Sequence, residues 1–385
     1  MPDKHRRDAL GQWLLSEAYP LWSRCAWDEQ RGGFYERLAA DGPVVGDPRR
    51  ARVQLRQIYS FACAPDLGWG GTVRDLVVAG LAHVRLRYVR ADGLVRAVVG
   101  PDGAVVDERA LLYDQAFALL AFAAAHRALG ASGGMEQAAA ALHDRVQSTF
   151  KRRGPGFRSE GASERPLSSN PHMHLLEAAL AWRSLSDDTR WSRLVEDLVE
   201  LALDHLIDAQ SGFVREHVDV VGTDFEGIQS RLVEPGHQFE WAWLLLRAGV
   251  SQPARAGCAS QGQERAATFA AARRLTAIGE LHGVQGGVAV NALLDDLSVH
   301  DLRARLWPQA ERLKAHTLMA RLTGEAHHRQ SAAEALESLL QYLDTPVRGL
   351  WYDQKRPDVG FFSEPSPASS FYHIVCAARE LTATL

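Results

Sequence analysis

Cysteine is scarce in this chain, with four residues, Cys25, Cys63, Cys258 and Cys376, among 385. They stand far apart and form no C-x-x-C pair. That argues against a disulfide framework or a thiolate zinc site and fits a reducing cytoplasm. No run of about 18 apolar residues occurs, so no membrane span is expected. The charged start, Met1 to Asp8, lacks the long apolar core and small-residue cleavage site of a secretory signal. Basic charge is not in excess: Lys and Arg number 43 against 47 Asp and Glu, for a net charge of −4. That balance offers no footprint for nucleic acid or an anionic membrane surface. The chain also lacks a GxxxxGK[ST] phosphate loop and an HExxH metal motif. No Pro/Ser-rich linker divides it, so residues 1–385 read as a single domain.

What is present is a repeat. A glycine followed by an apolar residue recurs at Gly33-Phe34, Gly93-Leu94, Gly156-Phe157, Gly212-Phe213, Gly287-Val288 and Gly349-Leu350. The spacing is roughly sixty residues, longer than the common solenoid units. Glycine supplies the backbone angles of a tight turn, so these sites predict turns or short hairpins. Between them lie two kinds of helical pattern. One is amphipathic: residues 7–22, 75–88, 134–150, 191–205, 266–282 and 331–343. In the last, Ala332, Ala335, Leu336 and Leu339 mark one face at helical spacing. The other is apolar nearly throughout: residues 56–64, 111–129, 174–185, 239–247, 310–322 and 371–381. Amphipathic helices suit an outer ring and apolar helices an inner one. Six such pairs predict an all-α fold, an (α/α)6 barrel if the ends meet and an open solenoid if they do not.

Each inner helix opens on polar or aromatic residues. These are Arg56-Gln57-Ile58-Tyr59, Tyr113-Asp114-Gln115, Asn170-Pro171-His172-Met173-His174, Glu234-Pro235-Gly236-His237-Gln238-Phe239-Glu240, Trp307-Pro308-Gln309-Ala310-Glu311 and Ser369-Ser370-Phe371-Tyr372-His373. A closed barrel gathers these starts at one mouth. Rings for apolar faces beside polar groups for hydroxyls are the content of a sugar pocket. His237 and Glu240 stand three apart and share a helix face, where the carboxylate orients the imidazole or shuttles a proton itself. Proton abstraction beside a sugar carbonyl needs a base, an acid, and a cation or donor for the enediolate, roles open to His237, His373 and Arg56. His172 and His174 form an H-x-H pair, but residues two apart diverge on a helix and no companion metal motif exists, so no metal is expected. His126, His327 and His328 read as exposed helix residues. Arg49, Arg50 and Arg52 read as a solvated charge cluster, with a phosphate site as the alternative.

The stretches Arg52 to Gln57, Asn170 to Ala178, Glu234 to Trp241, Trp307 to Gln309 and Phe371 to His373 resemble the N-acylglucosamine 2-epimerase family, in order and spacing across most of the chain. The resemblance implies an (α/α)6 barrel and a monosaccharide substrate, with no cofactor and no metal. Within the family the chain is most similar to the mannose isomerases. By that resemblance His237 and His373 are the acid/base pair of a cis-enediol reaction, and Arg56 steadies the enediolate oxygen. His174 assists ring opening or holds a hydroxyl, and Glu240 moves a proton between the oxygens. Asn170 and Trp307 line the pocket, with Tyr113 and Asp114 as further substrate contacts. Which histidine takes the C2 proton is left open. So is the outcome, since reprotonation at C1 gives a ketose and reprotonation on the other face of C2 an epimer. A glycoside hydrolase, using two carboxylates such as Asp114 and Glu240, and a carbohydrate-binding scaffold are the competing readings. A monomer and a homodimer both fit.

Overall fold

The computed structural model describes residues 4–130, 134–161, 166–218, 227–250 and 259–383. Cys258 lies outside them. Twelve long helices alternate among the described residues. The odd-numbered helices are α1 (Lys4–Trp13, running on through Leu14–Ala18 and Tyr19–Cys25), α3 (Val73–Arg87), α5 (Met135–Phe150), α7 (Thr189–Leu201, extended by Ala202–Leu206), α9 (Ala259–Gly283) and α11 (Ala326–Leu343). The even-numbered helices are α2 (Ala51–Ala62), α4 (Leu112–Leu129), α6 (Ser169–Arg183), α8 (Pro235–Val250), α10 (Leu306–Thr323) and α12 (Ala368–Thr382).

Burial sorts them into two rings. The even helices are buried almost all round. The odd ones bury a stripe, shown by Trp191, Leu194, Val195, Leu198 and Val199 of α7 at helical spacing, and present their other faces to water. Each even helix packs on the next, and α12 returns to pack on α2, closing an (α/α)6 barrel. The seam is also hydrogen-bonded. Gln57 Nε2 donates to Ala368 O at 2.8 Å, and Trp22 Nε1 donates to Gly349 O at 3.0 Å. Strand Arg37–Ala39 pairs antiparallel with Ser366–Pro367 across it. Trp22, Trp351 and Phe371 stack there, with 4.5 Å between the two indoles. No helix among the described residues is long and apolar enough to cross a membrane.

All six repeat glycines have left-handed backbones, with φ between 76° at Gly156 and 89° at Gly349, where a side chain would be strained. Each follows an outer helix. Five close short hairpins, marked by Trp27↔Phe34, Val89↔Val95, Lys151↔Phe157, Ile207↔Val214 and Val284↔Ala289. A side chain from the start of the next inner helix then clamps the residue beyond the turn. Gln115 donates from Nε2 to Val95 O and accepts from Val95 N, both at 2.8 Å. Gln54 does the same to Phe34, Gln238 to Val214 and Gln309 to Ala289. Ser366 brackets Trp351, and His172 Nε2 accepts from Phe157 N at 2.8 Å. The clamp satisfies backbone groups that the ladder leaves open inside the core. Replacing Gln115 with leucine leaves both Val95 groups buried and unpaired. An expected loss of roughly 1–3 kcal/mol is checked by the urea midpoint at constant m-value.

Candidate functional site

Five of the six inner helices start later in the apolar pattern than in the backbone. Their first turns are the polar clusters, and the ring brings them to one mouth around a cavity of about 230 Å³. His174, His237, Glu240, His373, Arg56, Asn170, Trp307 and Tyr113 all line it. Glu234, Arg305, Asp353, Ser369 and Ser370 complete the wall. Asp114 is not brought in. It lines no part of the cavity and, wholly buried, pairs through Oδ1 with Arg52 Nε at 3.1 Å. Burial pushes its pKa up to about 6 against the pull of Arg52.

Other expectations change in the same way. Gln57, Gln115, Gln238, Gln309 and His172, polar residues of the same helix starts, are structural clamps or seam bonds and line no part of the cavity. Arg49 is buried against Asp28 at 2.5 Å, whereas the half-exposed Arg50 pairs with Glu36 at 2.7 Å and Arg52 with Asp114 at 3.1 Å, so each is held in its own ion pair and the three form no phosphate cradle. His328 is buried, whereas the side chain of His327 is 67% exposed. Glu240 does not orient His237; that carboxylate lies nearer His174, at 3.8 Å from its Nδ1.

The two histidines face the cavity from α8 and α12, on either side of α10, whose Trp307 ring lies 5.0 Å from the His237 ring centroid and 5.7 Å from that of His373. Gly236 makes room for that indole, because a Cβ there would stand 2.4 Å from it. Each imidazole is held through Nδ1 by a carboxylate, leaving Nε2 to turn into the cavity. His237 Nδ1 meets Glu216 Oε2 at 2.8 Å and Glu234 Oε2 at 3.6 Å. His373 Nδ1 meets Glu311 Oε1 at 2.7 Å, and the other Glu311 oxygen takes Lys314 Nζ at 2.6 Å.

That difference separates the two in charge. Burial disfavours the His237 imidazolium, but the Glu216 and Glu234 carboxylates outweigh it and hold its pKa up to about 10. Burial also disfavours a charged His373. There the Arg56 and Lys314 cations add to the effect, so its pKa falls well below the ordinary range. At neutral pH this favours the imidazolium at His237 and the neutral imidazole at His373, an acid and a base on the same cavity. Glu240 lies between buried carboxylates, with neither oxygen hydrogen-bonded. Burial and then the charge of Glu311 raise its pKa well above the usual range, which favours its protonated form. Arg56 Nη2 donates to Tyr113 OH at 2.6 Å, and its guanidinium lies 4.3 Å from the Phe117 ring centroid. His174 packs on Phe117 and Tyr113, and burial takes its pKa down to about 4.

Glu216, Glu311 and Lys314 carry these charges, and the sequence did not single them out for it. Glu216 comes from a hairpin 21 residues before His237, with no spacing signal. Lys314 had one, since it stands three residues after Glu311 on the same helix, the spacing of an ion pair. Three sets at the mouth bring donor atoms within 4.8 Å of one another and could hold a cation: Glu216, Glu234 and His237; Glu240, Glu311 and His373; His174, Glu177 and Glu240.

Known proteins resemble this chain over most of its length. The family model for N-acylglucosamine 2-epimerase matches residues 33–377. A protein of Rhizobium meliloti named mannose-6-phosphate isomerase is 41% identical over 380 residues, covering 97% of this chain and 95% of that one. The D-mannose isomerase of Thermobifida fusca is 26% identical, over 80% and 82% of the two chains. The solved cellobiose 2-epimerase of Spirochaeta thermophila superposes with a TM-score of 0.83 over 98% of this chain and 97% of that one, at 19% identity.

Proposed function

The chain belongs to the N-acylglucosamine 2-epimerase family and is an enzyme of the sugar isomerase and 2-epimerase type; from that premise we propose that it interconverts D-mannose and D-fructose through a cis-enediol, with His373 as the base and His237 as the acid. The observation that carries the assignment is the pairing of the two imidazoles on either side of Trp307, one held by carboxylates that favour its cation and the other beside cations that favour its neutral form.

Neutral His373 takes the C2 proton of the open-chain aldose. The His237 imidazolium gives a proton to the carbonyl oxygen O1, while Arg56 stabilises the charge developing there. In the second half the O2 proton passes through the Glu240 carboxyl to His237, and His373 returns its proton to C1. No net proton is gained or lost. Trp307 and Asn170 hold the sugar, and neutral His174 contacts a hydroxyl during ring opening. The same enediol, protonated at C2 from the opposite face, gives the epimer, so isomerase and 2-epimerase differ only in where a proton returns. No metal takes part in this scheme.

NMR of the purified protein with D-mannose in D2O tests the proposal. Fructose is expected as the main product, with deuterium at C1 where the enediol exchanges with solvent, and excess chelator is expected to leave the rate unchanged. Glucose as the main product would make the enzyme a 2-epimerase instead. One observation favours a phosphorylated sugar as the second reading. Arg305 lines the cavity and makes no side-chain ion pair among the described residues, and the 41% identical relative is named for mannose 6-phosphate. Glu234 and Asp353 stand in the same wall and oppose an anion there. Comparing kcat/KM for mannose and mannose 6-phosphate decides between them.

A further inference from the structure

The loop from α10 to α11 carries a second group of histidines, far from the mouth. It lies beyond the C-terminal end of inner helix α10, and the inner helices open the cavity at their N-termini. Glu325 precedes α11, and His327 and His328 stand in its first turn. Their donor atoms all lie within 4.8 Å of one another. Glu325 Oε2 is 3.4 Å from His328 Nε2 and 3.7 Å from His327 Nε2.

The contacts behind this group indicate which nitrogen carries a proton. Buried His316 of α10 places Nε2 2.8 Å from Glu280 Oε1, too close for two bare acceptors, so that nitrogen holds the proton. Nδ1 of His316 is then an acceptor. It lies 3.0 Å from His328 Nδ1, which therefore donates. Nε2 of His328 is left as a bare lone pair facing the Glu325 carboxylate. Acceptor faces acceptor, an arrangement that a cation between them relieves. Tetrahedral zinc with bonds of about 2.0–2.1 Å sets its ligand atoms about 3.3–3.4 Å apart, close to the two spacings from Glu325 Oε2. Arg273 grips the same carboxylate at 2.8 and 3.1 Å and fixes its orientation, the role of an outer-shell partner. His327 is exposed, which gives a cation a way in.

We propose that Glu325, His327 and His328 form a binding site for a borderline divalent cation of the zinc type, separate from the sugar cavity, with water completing its coordination. Bound there, the cation ties the start of outer helix α11 and, through His316, inner helix α10 into one joint.

The test is calorimetric titration of the tag-free, chelator-stripped full chain with zinc chloride. Because the mouth holds carboxylate and histidine sets of its own, the readout is a difference between proteins. Wild type is expected to bind one zinc more than His327→Ala or Glu325→Gln, or to bind it at least 10-fold more tightly. His327→Cys, which keeps a zinc ligand, is expected to retain the site. Sugar turnover by metal-free His327→Ala should equal that of wild type, since the residue is remote from the cavity. Identical zinc isotherms for wild type and His327→Ala, or no binding by wild type, would overturn the proposal and leave the isomerase assignment untouched.

Discussion

Replacing His373 with asparagine is expected to lower kcat on mannose by about 10²–10⁴-fold, the range that a positioned general base contributes. Asparagine keeps an N–H for Glu311 and nearly the same bulk, so circular dichroism and melting should match wild type. His237→Asn should lose a similar factor through removal of the acid. The pH profile carries the sharper information. His373 works only when neutral, and burial with the Arg56 and Lys314 charges keeps its pKa well below the ordinary value. The acid limb of kcat/KM should therefore lie well below pH 6.5. His237 works only as the imidazolium, which Glu216 and Glu234 preserve up to about pH 10, so activity should fall as pH rises through that value. A limb centred near pH 6.5 would show that the two environments do not separate the pair. A His373→Asn enzyme at near wild-type rate would remove it from the reaction.

The sequence disclosed the ring more completely than the site. Glycine at a tight turn leaves a signature because few residues tolerate left-handed φ, and all six glycines read as turns adopt it. The two helix classes were legible because amphipathicity reports directly on one-sided burial, as in α7. The apolar pattern begins later than the helices do, since Ser169 and Pro235 open them, and the clusters read as helix openings mark their first turns. The polar residues at those starts were visible but not their direction. Gln115 and Tyr113 stand two apart in one turn, yet one clamps a hairpin and the other lines the cavity. Asp114, between them, turns to Arg52. Nothing in residue type tells these directions apart; they follow from the angle each position takes around a helix packed in the ring. The partners of the histidines were hidden for a further reason. Glu216 reaches His237 from a hairpin, and Glu311 reaches His373 across 62 residues, distances closed only by the barrel itself.

Lys314→Met should damage the enzyme twice, and the two effects can be separated. Lys314 is wholly buried, bonded to Glu311 at 2.6 Å and lying 3.9 Å from the centroid of the Trp243 ring. Burial disfavours its charge, but Glu311 and the other carboxylates around it outweigh that and hold its pKa above the ordinary value. Removing one partner of a buried pair typically costs about 3–5 kcal/mol, because the other charge is left uncompensated. A loss of that size is expected in denaturant unfolding. The second effect falls on catalysis. Lys314 is one of the cations that depress the His373 pKa. Without it, Glu311 acts on the imidazole alone and favours its protonated form. The His373 pKa then rises, and the acid limb of kcat/KM moves to higher pH. The Lys314→Met/Glu311→Gln double variant removes both charges and should recover much of the stability. It should not recover the rate, since glutamine holds His373 Nδ1 without a carboxylate to stabilise the imidazolium formed as the C2 proton is taken. Recovery of both stability and rate would make the Lys314–Glu311 pair a packing feature. Recovery of stability alone, with the shifted acid limb in the single variant, would place Lys314 in the machinery that keeps His373 a base.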